Sequence, residues 1–343
     1  MDFLPNEEQA QIIETVGNYL STKHPISCVQ EVGEDSSLTK PAQWAEMGAL
    51  GWFSISLGEE FGGAGMSAAE EMLLFVEAGK YLVSPSLLAT VLGARIAAYS
   101  GNTALTQHIS RGETLVALAF PSGEYRWEDG YINGEFQAFE VDNAQYLLIA
   151  DQHGSTLVQI NDGMKFNAQQ CMDEKVQLAT TELENAHTDI FVPASDDDIF
   201  TRGTLLSAAF LAGIADEVKN RCVEYAKERQ QFGQPIGSFQ AIKHKCSEMA
   251  LRCEAALSTT VQAALGLKAG LPSSTFDIMS AKILAAEAAT SNAGDSVHIH
   301  GAMGFTEEMP VHLFYKRAHL MSLMFGSSQT LLSKVVQLPT PAQ

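Results

Sequence analysis

An arginine, aromatic residues and a glycine-proline turn lie close together between Tyr225 and Met249, in the segment YAKERQQFGQPIGSFQAIKHKCSEM. The planar guanidinium of Arg229 can hold two phosphate oxygens at once and keeps its charge at physiological pH. The alternative is a surface ion pair with Glu228 or another carboxylate. Phe232 and Gln240 stand in the same segment, which lies between two helical patterns.

A second segment, HIHGAMG from His298 to Gly304, contains glycines where backbone could approach a ligand closely. The alternative is an ordinary turn at the end of a helix. His298 and His300 have side chains that can titrate near neutrality.

Acidic residues are spread thinly, although the formal net charge is −20. The densest run, Asp196 to Asp198, is predicted to be a solvated loop, and no metal site is expected. So acidic a chain is a poor partner for nucleic acid or an anionic membrane, because binding either requires clustered Lys and Arg.

The composition is that of a globular protein, with 46% apolar and 18% charged residues in a chain of 343. Five scattered cysteines without a CxxC pair suggest reduced thiols in a cytoplasmic protein. The acidic start MDFLPNEEQAQIIETV does not have the pattern of a signal peptide, and no membrane span is expected.

The order of the elements is predicted to be helical, β and helical again. Apolar residues recur every three to four positions from Asn6 to about Gly112, interrupted by the glycine-rich loop at 58–65. Short β-rich runs with tight turns then follow to about Val192, without helices between them or a GxGxxG fingerprint, which favours an antiparallel sheet or barrel over a Rossmann unit.

Long helices return after Phe200, and small residues such as Ala212 and Gly213 should let another helix come close. We therefore predict an α+β protein with an N-terminal helical domain at 1–113, a middle β domain at 114–196 and a C-terminal helical bundle at 197–343.

Together, the early GEEFGGAG loop, the ERQQFGQPIGSFQ corner and the later HIHGAMGFTEE resemble the acyl-CoA dehydrogenase family, and they occur in its order along nearly the whole chain. The resemblance implies an oligomeric FAD enzyme that removes the α and β hydrogens of an acyl-CoA thioester. It also implies that each FAD is shared between two subunits.

The resemblance assigns FAD-binding roles to residues in three segments. In the corner, Arg229 and Phe232 would reach the neighbouring subunit's FAD, with Gln240 beside them. In the glycine turn and in the later GSSQ string, the corresponding residues are His298, Gly301, Ala302, Gly304, Ser328 and Gln329. Ala302 replaces a usual Gly and His298 replaces a common Gln, which weakens the expected contact.

The features expected to hold the flavin ring are missing. In place of a TEP-x-x-GSD loop the chain has the segment 119–123, AFPSG, and the stretch 146–149, where a Trp-x-Thr strand is expected, reads YLLI. Apolar side chains cannot donate hydrogen bonds to a flavin ring.

The catalytic glutamate is missing too. Family members carry it before a Gly-Thr-Ser-Gln string or 26 residues before the corner arginine, and these positions hold Phe325 and Gly203. The chemistry needs a base at the α carbon. The glutamates at 59, 60, 307 and 308 match segments with structural roles in the family and are poor substitutes.

Two functions of different kinds remain. The favoured one is a non-catalytic subunit that clamps FAD seated in a longer, homologous partner, most similar to the short subunits of heteromeric dehydrogenases of steroid side-chain degradation. The alternative is a self-sufficient homotetramer with an unplaced base, and elimination or desulfination of an acyl-CoA is a weaker third. A sterol-derived acyl-CoA substrate and an electron-transferring flavoprotein as electron acceptor follow from the same resemblance.

Overall fold

The computed structural model describes residues 4–33 and 37–338. The helices are α1 (Glu7–Lys23), α2 (Ile26–Gln30), α3 (Pro41–Ala49), α4 (Ala68–Lys80), α5 (Ser86–Tyr99), α6 (Thr103–Ser110), α7 (Ile199–Glu228), α8 (Gln240–Lys268), α9 (Ser274–His300), α10 (Val311–Leu323) and α11 (Ser328–Val335). The strands are β1 (Leu115–Glu128), β2 (Tyr131–Phe139), β3 (Ala144–Ala150), β4 (Gly154–Gln159), β5 (Asn167–Gln169), β6 (Leu178–His187), β7 (Ile190–Pro193), β8 (Gln230–Gln231) and β9 (Gln234–Pro235). The predicted helical, β and helical order is confirmed.

The chain divides into two compact units. We call the first the helical unit; it comprises 1–31, 68–82 and 204–343. The second, the sheet unit, comprises 32–67 and 83–203. The predicted domain boundaries at 113 and 196 stay a prediction.

Helices of the helical unit pack closely where glycines remove side-chain bulk. A Cβ atom on Gly213 of α7 would lie 2.0 Å from the carbonyl oxygen of Val76 in α4, and one on Gly79 would lie 2.0 Å from that of Phe210. The two backbones are therefore in direct contact, which confirms that Gly213 admits a neighbouring helix. No residue with a side chain fits either position without moving a helix.

By length and composition alone, α7 could cross a membrane, but 89% of its most apolar stretch is buried in the protein. Core helices of globular proteins have the same property. Its hydrophobicity is explained by packing on several sides.

A seven-stranded sheet in the order β5-β6-β2-β1-β3-β4-β7 forms the centre of the sheet unit. The prediction of an antiparallel sheet needs one correction, because β1 and β3 run parallel. The reason is the path of the chain. Since β2 returns along one edge of β1 and ends opposite Leu118, the next strand starts beside Leu115 and takes the other edge in the same direction as β1.

The acidic run at 196–198 lies in the loop before α7, as predicted, and Asp196 and Asp198 are exposed. Asp197 forms an ion pair with Arg95, and Asp198 accepts a hydrogen bond from the backbone N–H of Thr201 at 2.9 Å, capping the start of α7. These carboxylates stabilise a helix start. Across residues 4–33 and 37–338 no group of His, Cys, Asp and Glu is arranged to hold a metal ion.

Candidate cofactor-binding site

The corner between α7 and α8 is a tight two-stranded hairpin. The backbone N–H of Arg229 donates to the carbonyl of Tyr225 at 2.8 Å, and that of Ile236 donates to the carbonyl of Arg229 at 2.8 Å. The strands β8 and β9 are joined by Phe232 and Gly233, with φ angles of 51° and 80°. Positive φ at both central residues is the pattern of a type I′ turn, which matches the twist of the strands.

Phe232 is strained and exposed at once. A phenylalanine with positive φ is unusual, because its Cβ approaches the backbone, and Gly or Asn would suit the position better. Yet 92% of the residue is accessible to solvent, and its ring makes an edge-on contact with Phe239 at 6.1 Å between centroids. The hairpin thus presents an aromatic ring to whatever lies outside the chain.

Arg229 and Gln240 are exposed beside it. Within the described part of the chain, no carboxylate lies at ion-pairing distance from Arg229, so the alternative of a surface pair with Glu228 is not what the geometry shows. Several basic side chains near the corner are already paired with carboxylates, as Lys227 is with Glu224 and as Lys245 is with Asp295, whereas Arg229 is exposed. An exposed guanidinium of this kind favours an anionic ligand.

The glycine turn follows directly on α9. Gly301 has a φ of 63° and a ψ of −138°, which side chains disfavour, and a Cβ on Gly304 would lie 2.6 Å from the carbonyl oxygen of Val297. Gly304 is therefore required by packing against α9. His298, Gly301 and Ala302 are exposed.

A pair of stacked rings brings the two segments together. Tyr225, in the last turn of α7, and His300, the last residue of α9, lie 4.1 Å apart between ring centroids, at an interplanar angle of 23°. Neither was a predicted ligand of FAD. Their sequence signal is that each is an aromatic residue within one of the two segments.

Ser328 and Gln329 begin α11, which packs against α9. Ser327 caps that helix by accepting a hydrogen bond from the backbone N–H of Thr330 at 3.2 Å. Ser328 is half-buried and Gln329 is exposed. Their FAD-binding role stays a prediction.

Phe325, at one position expected for the base, is 1% exposed and has a φ of 54°. Its carbonyl oxygen accepts a hydrogen bond from the hydroxyl of Thr204 at 3.1 Å. In the chain, Thr204 directly follows Gly203, the other position expected for the base. Neither position expected for the base carries a carboxylate.

Two buried basic side chains, Lys282 of α9 and Arg317 of α10, hold the helix that leads into Phe325. The Lys282 ammonium of α9 donates to the carbonyl of Met321 at 2.6 Å, and Arg317 donates to the carbonyl of Leu82 at 2.8 Å. Complete burial lowers the pKa of Lys282 to about 7. Both residues anchor α10, and their sequence context gave no sign of burial.

In the sheet unit, the segment expected to be a flavin-binding loop is part of a long strand. Residues 115–128 form β1 without a break, apart from a register shift between Pro121 and Tyr125. The hydroxyl of Ser122 donates to the carbonyl of Glu135 at 3.1 Å. There is no cluster of donors in this segment.

The stretch expected to cover the ring is equally apolar. Leu147 and Ile149 of β3 are buried in the core of the sheet. The other neighbouring strand, β2, places Ala138 opposite Ala119 and likewise offers no Trp to cover a ring.

The remaining carboxylates are exposed. Glu59 and Glu60 lie in a short 3₁₀ turn, and Glu307 and Glu308 follow the glycine turn. Their structural roles stay a prediction.

Comparison with known proteins gives the family. Models of the acyl-CoA dehydrogenase N-terminal and C-terminal domains match residues 6–111 and 197–337. The chain is 30% identical to acyl-CoA dehydrogenase IpdE2 of Mycolicibacterium smegmatis, over 96% of this chain and 98% of that protein. The chain therefore belongs to the acyl-CoA dehydrogenase family of oxidoreductases.

Solved structures share the fold. The ChsE4-ChsE5 complex of Mycobacterium tuberculosis matches with a TM-score of 0.86 and 22% identity over the full length of both chains. A variant of the Tcur3481-Tcur3483 steroid ACAD matches with a TM-score of 0.83 and 20% identity, over 96% of this chain and 97% of that one.

Members of this family bind FAD, and the residues present fit one half of it. An exposed arginine without a carboxylate partner suits a diphosphate. The residues present do not fit the flavin ring of FAD, because the segments expected to hold it lack the hydrogen-bond donors that its N5, O2 and O4 atoms need.

Proposed function

We propose that this chain is the non-catalytic subunit of a heteromeric, FAD-dependent acyl-CoA dehydrogenase and that it clamps FAD seated in a homologous, longer chain. The observation that carries the proposal is the contrast between the expected base position and the corner hairpin. Phe325 is sealed in the core where a base is required, whereas Arg229 and Phe232 are exposed and free to engage another chain.

The roles of the residues follow from their chemistry. Arg229 holds the diphosphate, Phe232 packs on the neighbouring part of the cofactor, and backbone at Gly301 and Ala302 approaches the adenosine. Gln240, His298, Gly304, Ser328 and Gln329 belong to the same surface. When bound, FAD supplies the acceptor for the hydride of the acyl β carbon, and the α proton goes to a base in the partner chain.

Two similar proteins support a partner of a different sequence. ChsE4-ChsE5 is a complex named for two different polypeptides. Tcur3481-Tcur3483, a steroid ACAD, is also named for two. By this likeness the substrate is the CoA thioester of a sterol-derived acid, the assembly is a heterotetramer, and the acceptor is an electron-transferring flavoprotein. A cytoplasmic location remains a prediction.

Flavin stoichiometry tests the proposal. The chain is purified alone and together with the product of any adjacent acyl-CoA dehydrogenase gene, and flavin absorbance is measured per chain. We expect about half a flavin per chain, present only in the pair. One flavin per chain and acyl-CoA oxidation by the lone protein would instead establish the self-sufficient enzyme.

Arg229→Ala tests the clamp directly. We expect the pair to lose affinity for FAD by tenfold or more, since a charge-assisted hydrogen bond to phosphate contributes about 1.5–3 kcal/mol. Arg126→Ala, which removes an exposed arginine of β1, is the matched control and should leave flavin binding unchanged. Equal flavin retention in both variants would remove Arg229 from the site.

A further inference from the structure

His300 is a buried residue between the two segments of the proposed clamp. On one side its ring stacks on Tyr225 of α7. On the other side the glycine turn folds back over it, so that a Cβ on Gly304 would lie only 3.2 Å from the Cβ of His300. The corner hairpin begins four residues after Tyr225, and the turn begins at the residue after His300.

The backbone fixes the orientation of this ring. Nδ1 of His300 lies 2.8 Å from the carbonyl oxygen of Ser296. Because a carbonyl oxygen can only accept, Nδ1 must be the protonated nitrogen. The imidazole plane is thereby held by its own helix while its face meets the phenol ring.

The surroundings favour the uncharged ring. Burial lowers the pKa of His300 despite the raising effect of the Ser296 carbonyl, and the guanidinium of Arg221 lowers it further. A neutral imidazole can lie flat on Tyr225 without bringing a second cation next to Arg221.

We propose that His300 is a positioning residue of the flavin clamp, where its stack on Tyr225 fixes the glycine turn relative to the corner hairpin. This inference rests on the proposed function, because it concerns the surface that would meet the partner's FAD. Two segments offered to one ligand must keep a constant separation, and the stack supplies the ring-to-ring contact between them. Without it, the hairpin and the turn would have to be ordered when the ligand binds, at a cost in affinity.

The test uses the assembled pair, freed of flavin and titrated with FAD while flavin fluorescence is followed. A stacked aromatic pair contributes about 0.5–1.5 kcal/mol, so His300→Leu should raise the Kd for FAD about three- to tenfold. His300→Phe keeps a stacking ring but lacks the hydrogen bond to Ser296, and it should restore most of the affinity. Tyr225→Leu should match His300→Leu, and the double variant should be little worse than either.

The matched control is His319→Leu. His319 contacts a tyrosine of its own helix, Tyr315, at 4.5 Å between centroids, and lies outside both segments of the clamp. Its removal should leave the Kd for FAD unchanged. The melting temperature of each flavin-free pair is measured in parallel.

The inference is overturned if His300→Leu lowers the melting temperature but leaves the Kd for FAD unchanged, since the stack would then serve only the fold. It is also overturned if His300→Phe is as weak as His300→Leu. Both of these outcomes are measured in variants and leave the proposed function untouched. The proposed function fails separately, in the unmodified protein, if the pair holds no flavin or the lone chain holds a full complement.

Discussion

Phe232 combines a backbone strain with an exposed apolar ring, and neither property stabilises the isolated chain. Left-handed conformations cost non-glycine residues roughly 1 kcal/mol or more. Residues that keep such strain often do so for a ligand or a partner, which is the role proposed for this ring.

Phe232→Asn should therefore separate stability from binding. Asparagine tolerates positive φ and suits a type I′ turn, so the lone chain should gain up to about 1 kcal/mol in free energy of unfolding. The pair should at the same time bind FAD more weakly. Urea unfolding and FAD titration check the two halves, and a destabilised chain with unchanged flavin affinity would contradict the assigned role.

Lys282 predicts how stability depends on pH. Its pKa of about 7 in the fold lies below the ordinary value of 10.5, because burial disfavours the charged form. Between these values the unfolded chain binds more protons than the folded one, so stability rises as the pH rises from about 7 towards 10. At lower pH the full penalty of the buried charge remains.

Lys282→Met should flatten this dependence. Methionine fills a similar volume without a charge, and it gives up one hydrogen bond to Met321. Urea unfolding at several pH values between 7 and 9.5 measures the slope. An unchanged slope in Lys282→Met would show that another group controls it.

At the scale of elements, a buried amide joins three helices of the helical unit. The amide nitrogen of Asn292 in α9 lies 3.3 Å from the carbonyl oxygen of Ala215 in α7, 3.1 Å from that of Met249 in α8 and 3.2 Å from the sulfur of Cys253. These contacts fix how α7, α8 and α9 are aligned, and the corner and the glycine turn lie at the ends of the same helices.

Asn292→Ala should lower the free energy of unfolding by about 1–3 kcal/mol, because it removes these bonds and leaves a small cavity. Asn220→Ala, at an exposed position of α7, is the control and should change stability by less than about 0.5 kcal/mol. Chemical denaturation measures both. Equal effects would mean that the three-helix contact contributes nothing specific.

At the scale of the whole molecule, the exposed features of the helical unit predict where a partner binds. The hairpin at 229–240 and the turn at 301–305 should exchange backbone hydrogens more slowly in the flavin-bound pair than in the lone chain. Strands β4 and β6 of the sheet unit serve as the internal control. Mass spectrometry of deuterium uptake measures this, and unchanged uptake at both segments would place the contact elsewhere.

The sequence by itself determined the family and the order of elements, and it predicts the loss of the base. These conclusions depend on short-range information, namely helical periodicity, turn residues and motifs whose spacing survives in a single chain. The same reasoning anticipated α7, α8 and α9, because long amphipathic patterns bury one face wherever they pack.

Only the tertiary structure decided which distant residues meet. Tyr225 and His300 are 75 positions apart, and Thr204 and Phe325 are 121 apart, so no local pattern relates them. The parallel pairing of β1 and β3 likewise depends on which edge of β1 the returning strand β2 occupies. Burial has the same origin, because the charge of Lys282 becomes costly only once other helices have excluded water from it.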